Sequence, residues 1–168
     1  MQLRRLALVR HAKAADGPVD VDRPLTGKGA SRAAAIGSWL DRTGSVPDWV
    51  LVSPARRAAQ TWEHANGRLP QDRQPTVDPR IYDNTVDALL AAVADVPAEV
   101  QALAVVGHNP SLGELADVLD DGQGDAAARQ RLDAGLPTGA VVVFTLATPF
   151  ADIAPGAATL ADFAVPGH

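Results

Sequence analysis

Two histidines each close a short apolar run, about a hundred residues apart. His11 ends Leu6-Ala7-Leu8-Val9-Arg10-His11, and His108 follows Ala102-Leu103-Ala104-Val105-Val106-Gly107. A neutral imidazole nitrogen can attack phosphorus and hold the phosphoryl group until water removes it. That chemistry requires a ring fixed in one tautomer and unprotonated near neutral pH. An adjacent cation such as Arg10 favours the neutral form by opposing a second positive charge. Arg10, with either Arg56 or Arg57 just after Ser53-Pro54, offers planar bidentate donors for phosphoryl oxygens. Residue types alone do not choose between those two neighbours. His108 is suited to donate to an oxygen whose charge changes during transfer. Gly107 permits close backbone approach, and Asn109-Pro110-Ser111 opens a helix whose first N–H groups favour an anion.

These residues need a scaffold that brings distant segments to one edge. Apolar runs of this length are strands buried on both faces of a parallel sheet, and ligands bind beyond the carboxyl ends of such strands. The pattern predicts strands at 6–10, 49–52, 102–106 and 139–146, a short edge strand near 76–77, and a weak last strand at 160–165. Helices are expected at 26–42 with Thr26 as N-cap, at 53–66, at 86–96 and at 111–119. Residues 13–24 and 70–79 read as polar connections, and 120–133 as a loop with a short helix. Alternating β and α segments specify an α/β fold, a three-layer α/β/α sandwich around a mostly parallel central sheet. The late strands are expected to pair at an edge of the same sheet. No linker divides the chain, so residues 1–168 are expected to form one domain.

Composition narrows the classes. The chain has 168 residues, 46% of them hydrophobic and only 4% aromatic, so its core is built mainly from Ala, Val and Leu. A net charge of −5 argues against nucleic acid and against a polybasic membrane face. Any anion site must be a local concentration of Arg and His against the global sign. The absence of cysteine removes thiol nucleophiles, disulfides and thiolate metal sites together. With no apolar stretch near the roughly 18 residues of a membrane span, a cytoplasmic location is expected.

Other titratable clusters read as ordinary surface. His64 lies in a predicted helix among polar neighbours, and His168 is the last residue. Asp16, Asp20 and Asp22 form a carboxylate cluster, but the spacing and Pro18 do not match a calcium loop, so a solvated loop is expected. No metal and no cofactor are expected.

At the chemical residues the chain resembles the histidine phosphatase superfamily, which includes the cofactor-dependent phosphoglycerate mutases, and within it the short SixA-type phosphohistidine phosphatases. The resemblance rests on Leu8-Val9-Arg10-His11-Ala12, Arg23-Pro24-Leu25-Thr26-Gly27-Lys28-Gly29, Ser53-Pro54 through Arg57-Ala58 with Gln60-Thr61, and Val106-Gly107-His108-Asn109-Pro110. It implies a phosphoglycerate mutase-like fold, with His11 as nucleophile and Arg10, Arg57 and His108 as the phosphate pocket. It also selects Arg57 over Arg56, because Arg-Ala followed by Gln-Thr matches the family arginine. Thr26, Lys13 and Asn109 would line the rim.

Two departures bear on chemistry. Ala12 stands where the family usually has Gly, and its methyl would narrow backbone approach. The Glu that serves mutase-like members as proton donor has no clear counterpart; Asp83, after Tyr82, is the candidate. An alkoxide leaves poorly unless an acid protonates it. Imidazole, with a conjugate-acid pKa of about 6.5, leaves far more readily. The expected activity is therefore metal-independent hydrolysis of phosphohistidine in a partner protein, through a phosphorylated His11. The alternatives are a phosphomonoesterase acting on a small phosphorylated metabolite such as a nucleotide or sugar phosphate, and a non-catalytic phosphate-binding module.

Overall fold

The computed structural model describes residues 2–167; the sequence reading of His168 falls outside them. The strands are β1 (Arg4–Arg10), β2 (Trp49–Val52), β3 (Thr76–Val77), β4 (Ala102–Gly107), β5 (Val141–Leu146) and β6 (Ala158–Ala164). The helices are α1 (Gly27–Arg42), α2 (Arg56–Asn66), α3 (Pro79–Tyr82), α4 (Val86–Ala94), α5 (Ser111–Leu119) and α6 (Ala126–Asp133). One sheet carries the strands in the order β3-β2-β4-β1-β5-β6. The first four run parallel, while β5 is antiparallel to β1 and to β6.

Alternation along each strand sends neighbouring side chains to opposite faces. Leu6 and Leu8 of β1, Leu103 and Val105 of β4, and Val142 and Phe144 of β5 pack under α4, α5 and α6. Ala7 and Val9, Ala104 and Val106, and Val141 and Val143 pack under α1 and α2. Both faces are covered, which explains unbroken apolar runs where a half-exposed sheet would alternate. The result is the expected three-layer sandwich.

Thr26 caps α1 by accepting from the Gly29 N–H at 2.9 Å, and Ala33, Ile36 and Leu40 on its inner side are fully buried. Gly37 lies where α1 crosses α2. A Cβ there would collide with the Ala65 carbonyl and stand 2.9 Å from the Ala65 Cα. Backbone cannot retreat as a flexible side chain can, so Gly37→Ala is expected to destabilise the protein by about 2 kcal/mol or more, read as a lowered urea midpoint at unchanged slope.

Two local expectations are revised. The connection at 70–79 holds, with β3 as its expected edge strand, but α3 follows it unanticipated: Asp78 caps it by accepting from the Arg80 N–H, with Pro79 in its first turn. The helix expected from residue 53 begins only at Arg56. Ser53 stays in the loop because its hydroxyl accepts the Ala55 N–H, a local bond that competes with helical pairing.

Candidate active site

Sheet register brings the chemical residues together. Arg10 pairs with Gly107 across the parallel β1–β4 ladder, and the His11 N–H donates to the Gly107 carbonyl at 3.0 Å. On the other side of β4, the Ser53 N–H donates to the Val106 carbonyl at 3.1 Å. Ser53, His108 and His11 therefore follow three adjacent strands at their carboxyl ends. Arg10, His11, Lys13, Arg57, His108 and Asn109 all line one cavity of about 550 Å³ there.

His11 is 7% exposed, and its Nδ1 lies 2.8 Å from the Ala12 carbonyl oxygen. A carbonyl only accepts, so Nδ1 carries the ring proton and Nε2 keeps its lone pair. Burial is the main cause that pushes the His11 pKa down to about 4, helped by Arg57, Arg10 and Arg23 against the Ala12 bond. His108 is pushed to about 3, again by burial first and then by His11 and Arg57. The sequence reading credited the neighbouring cation; desolvation is the larger effect. The two rings lie 5.2 Å apart, centroid to centroid, and Tyr82 packs edge-on against His108 at 5.8 Å. The Nε2 of His108 lies 2.8 Å from the Ser53 hydroxyl oxygen, while its Nδ1 is buried without a hydrogen-bond partner.

The guanidinium of Arg57 is buried, with one amino group donating to the Asp20 carbonyl at 2.8 Å and the other to the Asp20 carboxylate at 3.1 Å. Arg56 is exposed, so position separates the two neighbours. The Tyr82 hydroxyl donates to the same carboxylate at 2.7 Å, and Arg23 pairs with it at 3.4 Å. The Tyr82 bond, followed by Arg57, holds the Asp20 carboxyl below its usual range. Arg10 donates to the Leu136 carbonyl at 2.9 Å, an oxygen it shares with the Asn109 amide.

Several expected roles change with position. Thr26 does not line the cavity; its hydroxyl caps α1, and its N–H donates to the Lys13 carbonyl at 3.0 Å. It thus braces the segment after His11. Asp83 is exposed at the end of α3, and its neighbours Tyr82 and Asn84 line the cavity in its place. Lys13 is an exposed rim cation. The first N–H groups of α5 are not free for an anion: Ser111 donates to the Asn84 side chain, Leu112 to the His108 carbonyl and Gly113 to the Asn109 side chain. Gly107 makes room for the Ile81 side chain, not for ligand backbone contact, since an added Cβ would lie 2.8 Å from it. Ala12 is fully buried with its N–H on the Thr61 hydroxyl, so its methyl does not enter the cavity. His64 is exposed, as read.

Sequence reasoning missed Asp20, Tyr82 and Asn84 as cavity residues, and Ser53 as the buried partner of His108. In sequence Asp20 sits among Asp16 and Asp22, and no periodicity separates the three. Among the described residues no group of three or more His, Cys, Asp or Glu is placed to hold a metal ion, and no helix is long and apolar enough to cross a membrane.

The family model described as histidine phosphatase superfamily (branch 1) matches residues 6–109. The chain belongs to that superfamily. The phosphohistidine phosphatase SixA of Escherichia coli K12 is 32% identical over 121 residues, covering 69% of this chain and 74% of SixA. A structure assigned as SixA from Nakamurella multipartitia superposes with a TM-score of 0.86 at 32% identity, covering 100% of this chain and 99% of that one. A structure of SixA complexed with tungstate gives 0.77 at 27% identity, covering 96% and 97%. The protein is thus a phosphatase of SixA-like, phosphoglycerate mutase-like fold.

In this histidine phosphatase the depressed pKa values have a measurable consequence. The folded His11 pKa of about 4 lies below an unfolded value of about 6.5. Between those values the unfolded chain binds more protons, so stability falls as pH drops through that window. His11 alone is expected to remove about 2 kcal/mol between pH 7 and pH 4.5. Denaturant unfolding at the two pH values checks this, with His11→Asn removing that share of the difference and leaving the part due to His108.

Proposed function

We propose that the protein hydrolyses phosphohistidine in a partner protein without metal or cofactor, through a phosphoryl group held on His11 Nε2. Arg10, Arg57 and the His108 ring hold the non-bridging oxygens while phosphorus passes between nitrogen atoms in line. The substrate ring, protonated on its other nitrogen, leaves as neutral imidazole when its bond to phosphorus breaks, as the bond to His11 Nε2 forms. In the second half-reaction water attacks phosphorus, its proton passes to an oxygen of the phosphate being formed, and His11 leaves as neutral imidazole because Nδ1 keeps its proton on the Ala12 carbonyl.

The observation that carries this reading is the state of the cavity's carboxylate. Among the described residues Asp20 is the one carboxylate lining it, and its hydrogen bond from Tyr82 and its contacts with Arg57 and Arg23 favour the ionised form. An ionised carboxylate cannot protonate an alkoxide, so alkyl phosphate esters lack the acid they need. A phosphoramidate, which expels an imidazole, does not. The SixA names of the relatives, one of which holds the tetrahedral oxyanion tungstate, support the same reading.

The test is phosphate release in the presence of chelator, from a phosphohistidine-bearing protein and from a panel of metabolite phosphomonoesters. A marked preference for the phosphohistidine protein is expected. Preference for one monoester would transfer the assignment to a metabolite phosphatase and require another proton donor.

A further inference from the structure

We propose that Ser53 is a positioning residue that fixes the tautomer of His108, leaving its Nδ1–H as the donor an oxyanion in the cavity receives. The inference rests on reading that cavity as a phosphoryl site. Ser53 is completely buried at the end of β2, and two groups meet its hydroxyl oxygen: the Ala55 N–H at 3.1 Å and His108 Nε2 at 2.8 Å.

A hydroxyl has one hydrogen to donate and two lone pairs to accept with. The Ala55 N–H can only donate, so it takes one lone pair and leaves the serine hydrogen to be placed. If His108 Nε2 also carried a proton, the oxygen would accept twice and the serine hydrogen would be stranded in a site closed to water. Stranding a buried donor is costly. With the serine hydrogen on Nε2, both contacts are complete, and the ring proton belongs on Nδ1.

That placement explains the one ring atom with no partner. Nδ1 of His108 is buried and makes no hydrogen bond in the protein, while the residue lines the cavity. The unprotonated oxygens of a phosphoryl group accept, so a bound phosphoryl group satisfies Nδ1–H, whereas a lone pair there would repel them. Both histidines are then Nδ1–H tautomers with opposite duties. His11 spends its N–H on the Ala12 carbonyl and keeps a lone pair for phosphorus; His108 spends its lone pair on Ser53 and keeps an N–H for oxygen. The low pKa of His108 agrees, since only a neutral ring has a tautomer to fix.

Long-range proton–nitrogen NMR on protein labelled with 15N-histidine reads tautomers directly. At pH 7 the wild-type His108 is expected as a single Nδ1–H form, with Nδ1 shifting on addition of inorganic phosphate. Ser53→Ala is expected to populate the Nε2–H form and to lower kcat by roughly 10- to 100-fold, with Ser53→Thr, which keeps the hydroxyl, recovering both. A wild-type Nε2–H tautomer overturns the proposal, as does a folded Ser53→Ala with unchanged tautomer and turnover. Should Ser53→Ala fail to fold, the wild-type spectrum still decides. The tautomer is read without substrate, so its failure is separable from failure of the phosphohistidine assignment, which would appear only in the turnover assay.

Discussion

His11→Asn is expected to lower kcat by roughly 10⁴-fold or more while the protein still folds. Asn keeps an N–H that can reach the Ala12 carbonyl, which His11 Nδ1 meets at 2.8 Å, and it is smaller than the ring it replaces. It has no nitrogen lone pair to offer phosphorus, because the amide nitrogen is delocalised. Covalent catalysis should therefore stop without loss of the surrounding structure. Steady-state turnover, with an unfolding curve of the same preparation, checks both halves. Turnover within tenfold of wild type would remove His11 from the mechanism.

Arg57→Lys is expected to lower kcat/KM by roughly 10²- to 10³-fold, although charge is conserved. The Arg57 fork already spans two oxygens of Asp20, its carbonyl and its carboxylate, showing that two parallel donors present themselves at this point of the cavity. A lysine ammonium offers a point charge on a flexible stem and cannot reproduce the paired geometry on a phosphoryl group. Arg56→Lys is the internal control: that side chain is exposed, and its replacement should change kcat/KM less than twofold. Equal effects at both positions would mean that general positive charge, not the buried fork, carries the interaction.

The strands that position the site were legible because a sheet covered on both faces demands continuous apolar runs. β1, β2, β4 and β5 are such runs, and the abrupt change after the parallel strands β1, β2 and β4 marks the cavity edge. α5 was equally plain, ending at Leu119 where Asp120 turns extended. The start of α2 was not, because Ser53 and Pro54 look like a helix opening while the Ser53 hydroxyl is committed to the Ala55 N–H and to His108. The bond to His108 is tertiary and leaves no local pattern.

The same distinction runs through the site. His11, Arg10 and His108 follow strands directly, so their position is set by register. Asp20 reaches Arg57 and Tyr82 from a single 3₁₀ turn (Asp20–Asp22), across 37 and 62 residues of sequence. Neither contact has a periodic signature. Asp83 misled because it sits between two cavity residues, and a single helical step of rotation at the end of α3 turns it to solvent. Thr26 belonged to a motif whose purpose is a cap and a brace on the segment after His11, so its presence signalled the fold more than the ligand.

Transfer of the phosphoryl group to His11 is read by rapid acid-free quenching of the protein during turnover of a phosphohistidine-bearing protein, followed by mass analysis of its peptides. One acid-labile, base-stable phosphoryl group is expected on the peptide containing His11, formed before phosphate appears and absent in His11→Asn. Phosphate release with no phosphoryl group ever held by the enzyme, or one held elsewhere than His11, would contradict it.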